Sequence, residues 1–338
     1  MNNFNLEDIA KKSGVSRSTV SRVINDHPNV SKKVRERVQE VIKQTGYQPH
    51  AAARALVSNR SWTCGLILPR TINSFFADPY FPSLIQGIAQ SCSKNNYTLS
   101  LFLSSGKDDE DNIFNRVTRR GFLDGVLVQS GNIGDQLINK IAASGIPLVV
   151  LGRPFNNRKI SFVDIDNMKA VESVVDHLIQ TGHRRIGTIT GPLITTVGID
   201  RKQGYINSLE KNGFPIDESL IFEGNFNEES GYLGMKKLFV QSPDAVFTSS
   251  DRIALGAIRA INENGLLVPD DISIIGFDDF PMAPPNKPFL TTVRQPIFGF
   301  GDTAVRILIE LVENGTCPPR QEILGTEFIQ RTTSKTRH

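Results

Sequence analysis

Apolar positions recur with a helical period three times within the first 46 residues. Leu6, Ile9 and Ala10 share one face and stop at Ser13-Gly14, a tight break. Val20, Val23 and Ile24 form a second stripe, ended by Asn25-Asp26-His27-Pro28. Ser31 stands where a helix cap is wanted, and Val34, Val38, Val41 and Ile42 make a third stripe before Gly46. A helix, a short Gly-containing turn and a second helix make a helix-turn-helix. The pattern predicts a small three-helix unit over residues 1–47, with one modest core and marginal stability of its own. Residues 48–61 read as a linker. Pro49 suits a first helical position and Ala51-Ala52-Ala53-Arg54-Ala55-Leu56 favours helix, but so short a helix needs a partner to persist.

From Cys64 the pattern changes to short, continuous apolar runs alternating with helical stripes. Strands are predicted at 65–68, 98–103, 125–128, 147–151, 185–190, 245–248 and 272–277. Helices are predicted at 81–94, 109–119, 135–143, 169–181, 202–212, 230–240 and 253–264. Strands of this kind belong to parallel sheets covered on both faces. Residues 62–338 are too many for one sheet and predict two doubly wound α/β lobes. Ligands of such sheets bind beyond the carboxyl ends of the strands, so those loops hold the candidate site.

Charge separates the same two parts. Residues 1–60 carry 11 Lys/Arg against five Asp/Glu, whereas the remaining 278 carry 27 against 30. A basic head on a mildly acidic body points to a polyanion partner for the head alone. Three cysteines, Cys64, Cys92 and Cys317, cannot all pair and read as reduced thiols of a cytosolic protein. No apolar run approaches a membrane span, and the polar N-terminus is unlike a signal peptide.

The run from Leu6 to Asn25, LEDIAKKSGVSRSTVSRVIN, resembles the LacI/GalR family of bacterial transcription regulators. Further matches follow in order. They are Tyr47-Gln48-Pro49 with Ala53-Arg54-Ala55-Leu56, then Val163-Asp164-Ile165-Asp166-Asn167, then Thr181-Gly182-His183-Arg184-Arg185-Ile186-Gly187. Ser250-Asp251-Arg252-Ile253-Ala254-Leu255-Gly256, Ile274-Ile275-Gly276-Phe277-Asp278-Asp279 and Leu290-Thr291-Thr292-Val293 complete the series. The resemblance covers nearly the whole chain. It implies a helix-turn-helix head, a hinge helix that forms on DNA, and a two-lobed body like a periplasmic binding protein. The implied protein is a cytoplasmic, homodimeric repressor of palindromic operator DNA. Its grip on DNA answers to a small effector, most simply a sugar, with no cofactor, metal or catalytic residue.

Arg17, Ser18, Ser21 and Arg22 fall on the face of the second helix opposite Val20 and Val23. By the resemblance Arg17, Ser18 and Arg22 read bases, a role for which Arg suits guanine O6/N7. Ser16, Thr19, Ser21, Asn25 and Asn29 contact phosphates and set register. Arg54 and Leu56 enter the minor groove, Leu56 as an apolar wedge. His50 replaces the family's usual Asn, and Val57 has no side-chain hydrogen bond to offer. In the body, matching positions make Asp78, Tyr80, Phe81, Gln129, Arg153, Arg201, Phe226, Asp251 and Asp278 the effector-binding candidates. Phe81 and Phe226 also suit lobe core, and Asp251 can simply cap the helix it precedes.

Two other classes compete. A sugar-binding transport protein accounts for the body but not the head. A cytosolic sugar-metabolising enzyme accounts for an α/β body but requires machinery absent from the sequence. There is no Walker A motif and no G-x-S-x-G elbow. Gly299-Phe300-Gly301-Asp302-Thr303-Ala304 matches a dinucleotide fingerprint, but no apolar strand feeds it and it lies far from a first βαβ unit.

Overall fold

The computed structural model describes residues 4–24, 27–47, 60–68, 77–103, 107–130, 132–134, 136–155, 159–280, 289–315 and 318–337. The chain divides into two compact units, 1–63 with 119–124, and 64–118 with 125–338.

The first unit contains three helices where the apolar stripes place them: α1 (Leu6–Ser13), α2 (Arg17–Ile24) and α3 (Lys32–Thr45). Asn5 caps α1 reciprocally, taking the Glu7 and Asp8 amides while Asp8 accepts from the Asn5 amide. Gly14 ends α1 at φ 62°, a left-handed conformation that glycine adopts without strain. Ile9, Ala10, Val20, Val23 and Val38 form the core, joined by Tyr47 just beyond α3. One local expectation needs correction. Ser31 occupies the cap position of α3, but its side chain makes no capping hydrogen bond.

The second unit holds two sheets. The first is built from β1 (Thr63–Leu68), β2 (Thr98–Leu103), β3 (Gly125–Gln129), β4 (Leu148–Leu151), β5 (Ser161–Ile165) and β11 (Gln321–Leu324), in the order β11-β5-β4-β3-β1-β2. The second, also parallel, comprises β6 (Ile186–Thr190), β7 (Ile221–Glu223), β8 (Ala245–Thr248) and β9 (Ser273–Ile275), in the order β7-β6-β8-β9. An antiparallel pair, β10 (Thr292–Arg294) with β12 (Glu327–Ile329), stands beside them.

Helices α4 (Tyr80–Lys94), α5 (Lys107–Val117), α6 (Leu137–Ala143) and α11 (Ile297–Asn314) cover the first sheet. Helices α7 (Asn167–Gln180), α8 (Thr196–Lys211), α9 (Glu228–Leu238) and α10 (Asp251–Glu263) cover the second. The chain crosses between lobes three times: from β5 into α7, from β10 into α11, and from β11 into β12. That topology brings the C-terminal strand β11 back against β5, with Gln321 paired to Phe162.

Several elements escaped the sequence pattern. β5 was missed because its sequence, SFVDI, breaks an apolar run with an acid, yet all five residues are buried. The dinucleotide-like glycines lie inside α11 rather than in a phosphate loop. At Gly301 any Cβ would meet the backbone of Leu84 and Ile88, so the glycine serves close packing of α11 on α4.

Candidate functional site

Helix α2 presents its polar face to solvent. Arg17, Ser18 and Arg22 are exposed, Thr19 and Ser21 half-buried, and no side-chain hydrogen bond or ion pair holds Arg17 or Arg22 among the described residues. Two guanidiniums about a turn and a half apart on a short helix can therefore reach an outside acceptor. Ser16 has local work. Its hydroxyl accepts the Thr19 amide at 3.2 Å and lies 2.8 Å from both the Ser18 and Thr19 hydroxyls, which pins the start of α2. Asn29 is exposed beyond the helix. Asn25, His50, Arg54, Leu56 and Val57 lie outside the described residues.

In the second unit a cleft of about 780 Å³, its open mouth included, lies at the carboxyl ends of both sheets. Of the nine candidate residues, Asp78, Tyr80, Phe81, Gln129, Arg201, Phe226 and Asp278 line it. Asp78 takes the Tyr80 amide at 3.0 Å, and the Tyr80 and Phe81 rings meet edge-on with centroids 5.3 Å apart. Gln129 ends β3 and donates to the Leu151 carbonyl at 3.1 Å. Its Oε1 is buried and has no hydrogen-bond partner among the described residues. Phe226, held at φ 49°, lays its ring against Gly191, where a Cβ would collide with it.

Arg201 is fixed from four sides. Its Nε donates to Asn167 Oδ1 at 2.9 Å and Nη1 to the Ser249 carbonyl at 2.6 Å. The guanidinium lies 3.6 Å from the Phe277 ring centroid and 3.8 Å from Asp278 Oδ1. Only 4% of Arg201 and 7% of Asp278 is exposed, so each charge depends on the other for compensation. Burial raises the Asp278 carboxyl well above its ordinary value against the opposing pull of Arg201. Gln295 donates to the same carboxylate, and Asp278 itself sits at φ 118°, a strained conformation for a residue with a Cβ. Burial, with Asp164 and Asp278 nearby, also raises the Tyr80 phenol, which stays a neutral donor.

Two candidates stand apart from the lining. The Arg153 guanidinium bonds Asp200 of α8, Nη2 lying 2.7 and 2.9 Å from its two oxygens. The Arg153 carbonyl accepts from Thr196 at 3.1 Å. Beside them Asn132 bridges Thr195, and the Ile133 amide donates to the Ile194 carbonyl at 2.6 Å. Residues following β3 and β4 of one lobe thus clasp the start of α8 of the other. Asp251 is engaged by protein partners. Its carboxylate accepts from Thr292 Oγ1 at 2.6 Å and the Phe280 amide at 3.0 Å, which ties down the turn carrying Asp278. The cap of α10 is Ser250.

The lining also contains residues that the candidate set lacked, notably Asp164, Asn167, Arg252, Gln295 and Phe300. Asp164 ends β5 and accepts from the Arg153 and Ile165 amides at 2.8 Å each, while burial pushes its carboxyl up to about 6. The sequence signal for Asp164 and Asn167 lies in the run from Val163 to Asn167, where acids and an amide interrupt apolar positions.

Residues 5–50 match the model of bacterial regulatory proteins of the lacI family, and 175–334 match the periplasmic binding protein-like domain. The HTH-type transcriptional regulator CelR of Thermobifida fusca is 35% identical over 330 residues, 96% of this chain and 97% of that one. The chain belongs to the LacI family. A solved CelR–cellobiose complex is similar over 98% of this chain and all of that one, with a TM-score of 0.76 and 32% identity. The lac repressor dimer bound to operator and the anti-inducer ONPF gives 0.84 over 99% of this chain and all of that one, at 26% identity. This LacI-family member is a ligand-controlled, DNA-binding transcription regulator, and its named relatives are regulators rather than enzymes. Among the described residues no helix is long and apolar enough to cross a membrane.

Proposed function

We propose that this regulator is a cytoplasmic homodimeric repressor whose hold on palindromic operator DNA is set by a sugar bound between its two lobes. Residues 1–47 form the DNA-binding domain, 48–61 the hinge and 62–338 the effector-binding and dimerisation domain. Arg17, Ser18 and Arg22 read bases in the major groove, and Ser16, Thr19, Ser21, Asn25 and Asn29 fix register on phosphates. Arg54 and Leu56 act in the minor groove, where Leu56 wedges a base step. One head covers half a site, so two-fold symmetry of the protein matches that of the operator.

The observation that carries the ligand half is the cleft itself. Aromatic faces from Tyr80, Phe81 and Phe226 stand against carboxylates of Asp78 and Asp278, the composition that accepts a ring with hydroxyls at its edge. The CelR–cellobiose complex of a relative supports the same class. Ligand closes the lobes, alters the spacing of the two linkers in the dimer and so shifts hinge-helix formation. Linkage then requires operator to change sugar affinity by the same factor as sugar changes operator affinity.

A thermal-shift screen of sugars, sugar phosphates and nucleobases, followed by selection of duplexes from a random pool with and without the hit, tests this. A sugar that raises the melting temperature and changes retention of a symmetric site is the expected result. Stabilisation by nucleobases alone would overturn the sugar assignment. Recovery of no preferred duplex would overturn the operator assignment.

A further inference from the structure

The walls of the cleft differ in hydrogen-bonding character. The first lobe is rich in acceptors: beside the Tyr80 hydroxyl stand the Asp78 and Asp164 carboxylates and the buried Oε1 of Gln129, which no donor among the described residues reaches. The second lobe contributes two guanidiniums, Arg201 and Arg252, together with the Asp278 carboxylate. These cations are not equivalent. Arg201 spends Nε on Asn167 and Nη1 on Ser249, and its charge faces Asp278. Arg252, the second residue of α10, is half-buried in the lining, and among the described residues no hydrogen bond, ion pair or ring contact engages its side chain.

A hydroxyl has one hydrogen to give and two lone pairs to satisfy. An acceptor-rich wall takes the hydrogens of a polyol and leaves its oxygens with few donors. A guanidinium carries N–H groups in a planar fork that spans two neighbouring oxygens, which a single ammonium cannot do. A carboxylate or phosphate on the ligand would also reach Arg252, but it would enter a cleft already lined by Asp78, Asp164 and Asp278. An amine would suit those acids and be repelled by Arg252.

We infer that Arg252 is a specificity-determining residue of the cleft. It supplies the donor fork of the second lobe to adjacent hydroxyl oxygens of an uncharged polyol and rejects ligands that carry an amine there. This rests on the reading of the cleft as a sugar site, and the test separates the two. Full-length protein is titrated calorimetrically with D-glucose, cellobiose, D-glucuronate and D-glucosamine, for the wild type, Arg252→Ala, Arg252→Lys and Arg252→Glu.

The wild type should bind a neutral sugar more tightly than its acidic or amino counterpart. Arg252→Ala should weaken that sugar by roughly tenfold, about what loss of a charged hydrogen-bond donor does. Arg252→Lys should recover part of the loss, and Arg252→Glu should move the preference to glucosamine, a reversal that no purely structural role produces. Melting without ligand reports the folding of each variant, and Arg252→Gln replaces Arg252→Ala should the latter melt early. Equal neutral-sugar affinity in wild type and Arg252→Ala overturns the role of Arg252 while leaving the sugar site standing. A wild-type preference for glucuronate overturns the neutral assignment. No binding by any of the four sugars overturns both this inference and the sugar reading beneath it.

Discussion

The clasp between Arg153 and Asp200 converts directly into a measurable coupling. It joins residues that follow β4 to helix α8 of the other lobe through one guanidinium nitrogen 2.7 and 2.9 Å from the two carboxylate oxygens. The arginine side chain is 41% exposed and the aspartate side chain 10%, so water screens the pair from one side only. Fully exposed pairs are worth roughly 0.2–1 kcal/mol, and hydrogen bonds to charged groups about 1.5–3 kcal/mol. The half-shielded geometry places this pair at about 1 kcal/mol.

If ligand binds the closed arrangement, losing 1 kcal/mol of closure lowers its affinity by about fivefold. The assay is a double-mutant cycle of Arg153→Ala and Asp200→Ala, read as sugar affinity and as hydrogen exchange at 132–134 and 193–196. Each single variant should loosen those segments and weaken sugar to a similar degree, and the double variant should add little more. Additive effects, with coupling below about 0.3 kcal/mol, would refute the clasp as a closure device.

Arg22→Ala should lower discrimination between operator and random DNA by about 1–3 kcal/mol, the worth of one bidentate base contact. An unchanged ratio in competition binding would remove Arg22 from the base readers. Asp164 has a folded-state pKa raised to about 6 from 3.8, so the native state holds its proton longer than the unfolded one. Its contribution is favourable at low pH and is lost as pH rises from about 4 to about 6. The stability difference between wild type and Asp164→Asn should therefore drift in favour of the variant across that window, and a pH-independent difference would refute the assignment. Asp251→Ala should lower the melting temperature without ligand, because the buried Phe280 amide and Thr292 hydroxyl lose their acceptor at about 1–3 kcal/mol each. Normal stability with lost sugar binding would instead make Asp251 a direct ligand contact.

Regular elements were largely legible in the sequence because their signals are local. The three head helices follow from apolar stripes and from glycines at positions needing left-handed backbone, and most strands of the body follow from unbroken apolar runs. Elements held by distant partners were not legible. β5 depends on β4 and β11 on either side, and β11 is itself a half-exposed strand recruited from the far end of the chain.

The site divides in the same way. Motif positions singled out Arg201, Asp278 and the aromatic residues, all of which line the cleft, and α2 displays its three base-reading candidates to solvent. The partners of these residues were hidden in the sequence. Arg153 reaches Asp200 across 47 positions, Asp251 holds Thr292 across 41, and Arg201 reaches the Ser249 carbonyl across 48.

Local pattern alone determined that this chain carries a basic three-helix head and an α/β body with polar residues at strand ends, because helix and strand periods and capping need only neighbours. Tertiary structure decided which of those polar residues face the cleft, which join its two lobes, and which support the turn beneath it. A buried carboxylate or guanidinium takes its role from whichever partner desolvation brings within hydrogen-bonding distance, and that partner is chosen by how the sheets pack.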